Sequence, residues 1–92
     1  MSKTAGQVLQ EILAKKEQRV AASHNAAGYG AMLPEAVREV LKQFPNLQAS
    51  GRRALAGSIH EKAKQLERWN DTLRFGAALG EVNRILGITR DS

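Results

Sequence analysis

Residues 51–69 read GRRALAGSIHEKAKQLERW, and the spacing of apolar side chains in this run settles the fold class. Leu55, Ile59, Ala63, Leu66 and Trp69 recur every three or four residues. That is the period of a helix with one face turned inward, and it predicts a helix over 52–69. Downstream, Asn70, Asp71 and Thr72 interrupt the pattern with capping residue types. Phe75, Leu79, Val82 and Leu86 then mark a helix over 72–86 that stops at Gly87, with Ile88 folding back onto Val82. Upstream, Val8, Leu9, Ile12, Leu13 and Val20 make the apolar stripe of a helix over 5–22. Thr4 and Gln7 have the spacing of a capping box, and Glu11 and Lys15 that of an exposed ion pair. Val37, Val40, Leu41 and Phe44 mark a short helix over 34–44. Pro34 suits its first turn, where no amide hydrogen is required, and Pro45 ends it. Between the first two helices, residues 23–33 read as an irregular connection containing Gly28-Tyr29-Gly30. The chain is therefore expected to be all-α, a compact bundle of about four helices in a single small domain.

Composition agrees with this class and narrows the functions. The aromatics are Tyr29, Phe44, Trp69 and Phe75, and β-branched residues are few, which disfavours a sheet. Of 92 residues 42% are hydrophobic, but 14 residues are alanine, so the large apolar side chains form a thin core. A chain of this size buries only about 60 to 65% of its unfolded surface. Fourteen Lys and Arg against nine Asp and Glu give a net charge of +5 and an isoelectric point near 10.1. Such a balance suits an anionic partner: nucleic acid, a charged surface, or an acidic protein patch. The absence of cysteine removes disulfide, thiolate and Cys-based zinc chemistry and fits a reducing cytoplasm. No apolar run is long enough for a leader or a membrane span.

Projected at 100° per residue, Arg53, Gly57, His60, Lys64 and Arg68 fall on one stripe opposite the Leu55, Ile59 and Leu66 face. Cations at this spacing can follow a phosphate backbone. Gly57 would let that backbone come close, and Arg52 adds charge at the start of the helix. Glu61 and Glu67 flank the stripe, and the alternative is a solvated face with weak surface ion pairs. The nucleic-acid or anion-binding candidates are Arg52, Arg53, Lys64 and Arg68. Gly76 and Gly80, with Leu73, lie away from the apolar stripe of the last helix, where close packing by another helix, from this chain or a partner, would offset the cost of interior glycine. Tyr29 between its glycines could present a ring. These four are the partner-interface candidates. Trp69 and Phe75 project toward the core, leaving Tyr29 as the free aromatic and little platform for stacking single strands.

Other chemistry has no footing. Ile85-Leu86-Gly87-Ile88-Thr89-Arg90 resembles the turn of a helix-turn-helix, but only Asp91 and Ser92 follow, too few for a recognition helix. The connection holding Gly28 and Gly30 lacks the spacing of a phosphate-binding loop. His24 and His60 have no acidic residue at a spacing that would orient a general base, and Glu35 and Glu39 alternate with Arg38 and Lys42 as helix-surface patterning. No catalytic residue, metal ligand, cofactor, membrane contact or small-molecule substrate is expected. Two functions remain: a non-catalytic accessory or regulatory protein docking through a cationic helix face on nucleic acid or a nucleoprotein complex, or a stoichiometric inhibitor or adaptor whose main partner is protein. Small accessory proteins of phages and mobile elements, anti-CRISPR proteins among them, work in this way, although no residue pattern assigns the chain to that class.

Overall fold

The computed structural model describes residues 3–88. Four helices follow one another: α1 (Ala5–Ser23), α2 (Ala27–Gln43), α3 (Ala49–Trp69) and α4 (Gly76–Leu86). The bundle is all-α. The helices close a ring in which α1 packs on α2 and α3, and α4 also packs on α2 and α3. The ring is flat, 36 × 35 × 17 Å. At 1.5 Å per residue α3 is about 31 Å long, so it runs nearly the width of the disc. Leu9, Leu13, Leu33, Val37, Val40, Leu55, Ile59, Val82 and Leu86 fill the centre, none more than 1% exposed.

Local chemistry sets the helix ends. At the start of α1 the Thr4 hydroxyl accepts from the Gln7 amide at 3.1 Å, and the Gln7 side chain accepts from the Thr4 amide at 2.8 Å, a complete capping box. His24 ends α1 in the left-handed region, at φ 57°. At the end of α4, Gly87 has φ 71°. Its amide donates to the Arg84 carbonyl and that of Ile88 to Asn83, closing a Schellman motif. Ile88 packs against the core cluster. Glu11 pairs with Lys3 rather than Lys15.

Helix α3 starts at Ala49, three residues before the expected 52, and two boundaries depart further from the expectation. Residues 27–33 are helical rather than a loop, so α2 starts seven residues earlier than Pro34. The Asn25 side chain accepts from the Ala27 amide, and the Asn25 and Ala26 carbonyls accept from Gly28 and Tyr29, which starts the helix at once. Gly28 and Gly30 serve packing, not turning. A Cβ on Gly28 would lie 3.1 and 3.2 Å from the two methyl carbons of Val20 on α1, and one on Gly30 would lie 3.5 Å from the Phe75 ring. Pro34 is buried inside α2, where the Gly30 carbonyl loses the amide donor four residues on. The other departure is α4, which starts at Gly76 and not at residue 72. The Asn70 side chain accepts from the amide and hydroxyl of Thr72, and the Asn70 carbonyl accepts from the Leu73 amide. Residues 70–73 form a hydrogen-bonded turn.

Glycines in contact and glycines in the open should respond to alanine with opposite signs. Gly80→Ala fills space with no heavy atom within 4 Å. It should stabilise by about 0.5–1 kcal/mol through helix entropy. Gly28→Ala presses on the stiff β-branched Val20, and overpacking costs about 1–3 kcal/mol. Thermal melts of the two variants should therefore move in opposite directions, by about 4–8 °C per kcal/mol for a domain of this size. A rise for both would mean that α1 and α2 are not in close contact at Gly28.

Candidate anion-binding face

The polar ties between helices determine which charges remain for a partner. One joins each neighbouring pair of the ring. Lys16 on α1 bonds Glu39 on α2 at 2.6 Å and lies 3.5 Å from Glu35. Lys62 on α3 bonds Glu17 on α1 at 2.8 Å, and Arg38 on α2 bonds Glu81 on α4. Between α3 and α4 the tie is Arg52, whose Nε donates to the Leu47 carbonyl at 2.9 Å and whose Nη1 donates to the Leu86 carbonyl at 3.3 Å. The Glu67 carboxylate accepts from the Phe75 amide at 3.2 Å, where the positive end of the α4 dipole also favours it. Carboxylates are thus concentrated on the seams.

Lys16 is held strongly enough to shift its titration. Its hydrogen bond to Glu39 raises its pKa above the ordinary 10.5; burial opposes this, while the charges of Glu39 and Glu35 add to it. A raised folded-state value means that the stabilisation is complete below the unfolded-state pKa and fades as pH climbs through the folded one. Urea melts of the native protein and of Lys16→Met should therefore differ by a constant amount from neutral pH to about 10, the gap closing in stronger alkali. A gap unchanged through that alkaline range would mean that the ion pair contributes nothing.

The outer face of α3 keeps its positive charge. Arg53, Lys64 and Arg68 are exposed and form no ion pair among the described residues. They share one helical face over about 22 Å, the axial rise of fifteen residues. Gly57, between Arg53 and Lys64, is exposed, with no heavy atom within 4 Å of where a Cβ would stand, so a partner's backbone meets no steric barrier there. Half-buried His60 lies on the same line. Of the two flanking acids, Glu67 is held toward α4, while Glu61 stays exposed.

The remaining candidates fare unequally. Arg52 does not extend the stripe: it is half-buried, and its guanidinium closes the carboxyl end of α4. Tyr29 is 7% and Leu73 8% exposed, so neither presents a contact surface. Tyr29 is buried because the segment around it is helical and packed; Leu73, because the turn before α4 folds it onto the core. Gly76 and Gly80 face open space, so no intrachain helix packs on them.

Two features were missed by sequence reasoning. Trp69 is 69% exposed, not inward. Its ring meets Tyr29 edge to face, with centroids 6.0 Å apart and planes at 88°. Exposed Lys15 and Arg19, one turn apart on α1, also form no ion pair among the described residues. Their spacing is visible in the sequence, but Glu11, four residues before Lys15, reads there as the partner of that lysine. Among the described residues no cluster of three His, Asp or Glu could hold a metal ion, and no helix is long and apolar enough to cross a membrane. No known protein family, curated protein or solved structure matches the chain.

Proposed function

We propose that this is a non-catalytic binding protein, accessory or regulatory and cytoplasmic, that docks the outer face of α3 on the phosphate backbone of nucleic acid, free or within a nucleoprotein complex. The observation that carries the proposal is the unpaired alignment of Arg53, Lys64 and Arg68 on one exposed face, while the seams hold most of the acids. Phosphates are attracted by such a row and bonded by its charged donors. The row's length of about 22 Å spans roughly six base-pair steps of about 3.4 Å. Readout would be of backbone and shape, because phosphate contacts position a protein without reading sequence.

The test is a salt titration of binding to a random DNA duplex. Three neutralised phosphates give a log-log slope near −2.7, or about 40-fold weaker binding between 50 and 200 mM salt. No binding to duplex or single strand at low salt would overturn the proposal. It would leave the second reading, a stoichiometric inhibitor or adaptor for a protein partner, which draws on the uncovered glycine face of α4.

A further inference from the structure

The only tryptophan in the chain stands just past Arg68, the last cation of the row and about 100° round the helix from it, and is 69% exposed. Exposure on this scale is costly for so large an apolar ring. Tyr29, itself buried, braces it from the edge and limits its freedom. Beside the ring lies a shallow groove of about 300 Å³ lined by Val20, Ala21, His24, Asn25 and Tyr29. This groove contains no carboxylate. Arg68 precedes the tryptophan directly, and Lys64 is about 7.5 Å back along the helix axis.

From this juxtaposition we infer that Trp69 is a stacking platform for one unpaired nucleobase of a single strand whose phosphates run along Lys64 and Arg68. The inference rests on the nucleic-acid reading above and names the form of the ligand. The local charges separate base from phosphate. The carboxyl end of α3 carries the negative pole of the helix dipole, and exposed Asp71 lies just beyond it. Both disfavour a phosphate over the ring and leave a neutral aromatic base as the matching occupant. Arg68, the preceding residue, and Lys64, five residues back, favour the phosphate on the neighbouring face of the helix. His24 and Asn25 at the groove wall offer hydrogen-bonding groups to a base edge. An apolar peptide could also cover an indole, but it would leave Lys64 and Arg68 without a counter-charge.

Because Trp69 is the sole tryptophan, its fluorescence reports this contact alone. Titration at low salt with an oligothymidylate of about 12 nucleotides, within the site sizes of single-strand binders, should quench the emission strongly. The matching duplex should bind with little quenching. Trp69→Ala should weaken oligothymidylate binding by about 5- to 150-fold, the equivalent of one lost stacking contact, and leave duplex affinity within about twofold. Trp69→Phe, which keeps an aromatic face and serves if the alanine variant folds poorly, should recover part of the loss. Duplex binding through α3, with oligothymidylate leaving the emission and the Trp69→Ala affinity unchanged, overturns the stacking inference while the proposed function stands. Failure of both nucleic acids to bind overturns the two together, and quenching only by an added apolar peptide overturns the choice of ligand.

Discussion

Changing Arg53, Lys64 and Arg68 together to alanine is expected to leave the helical spectrum and the melting temperature nearly unchanged while removing most duplex binding at low salt. All three side chains are exposed, and none ties one helix to another. Their loss therefore takes nothing from the core, and surface substitutions of this kind stay within about 0.5 kcal/mol each. At about 1 kcal/mol per exposed charge contact, the affinity falls on the order of 100-fold. The salt slope should flatten from near −2.7 toward zero as the three neutralised phosphates are lost. A charge-matched control separates the face from the total charge. Lys15, Arg19 and Lys42 are also exposed and form no ion pair among the described residues, and changing them to alanine removes the same three charges from a net +5. This control should keep duplex affinity within a few-fold of the native protein. Equal losses in both variants would mean that net charge alone attracts the duplex, and that α3 holds no site.

The contrast between Arg52 and Arg53 shows how the fold divides adjacent cations. A step of 100° along α3 takes one guanidinium into the seam with α4, where it bonds two carbonyls, and leaves the other in solvent. Lys62 and Lys64 divide in the same way, the first bonding Glu17 across to α1 and the second pointing outward unpaired. The seams take up one class of cation together with most of the acids. The outer face of α3 thereby becomes more positive than the chain's modest net charge suggests.

Periodicity made most of the architecture legible, because a stripe of large apolar residues has only one way to be buried on a helix. The α1 start and the α4 stop could also be read directly, since Thr4, Gln7 and Gly87 act on their own neighbours within a few residues. The failures share a different cause. Glycine signals either a backbone turn or a close approach, and the residues that decide between them at Gly28 and Gly30 are Val20 and Phe75, distant in sequence and adjacent only after folding. Trp69 failed for a related reason. It projects to the flank of the core stripe rather than its centre, and at the end of α3 its ring meets Tyr29 edge to face but stays 69% exposed. Pattern gave the direction of each side chain but not what stands opposite. The same limit applied to the site: the alignment of Arg53, Lys64 and Arg68 is local and could be read, whereas the diversion of Arg52 to Leu86 is a tertiary contact.

The boundary of α2 can be tested through Leu33, which sits at the end of the segment that the glycines made look irregular. In the structure it is 0% exposed, in a helix packed on both α1 and α4. Leu33→Ala should cost about 2–5 kcal/mol, as truncation of a fully buried leucine does when its surroundings only partly collapse. Total stability for 92 residues is about 5–14 kcal/mol at the usual 0.05–0.15 per residue. The melting temperature should therefore fall by about 8–40 °C, at 4–8 °C per kcal/mol. If residues 27–33 were a surface connection instead, the same change would shift the melt by only a few degrees, and the amides of Ala31, Met32 and Leu33 would exchange rapidly with solvent. As part of the buried helix, those amides should exchange slowly, at rates approaching that of global unfolding. Leu33 belongs to a different helix from the cationic row, so below its lowered melting point the variant should still bind duplex with native salt dependence. Lost binding in a variant that remains folded would mean that the face depends on a more exact setting of α2 than the polar ties between helices imply.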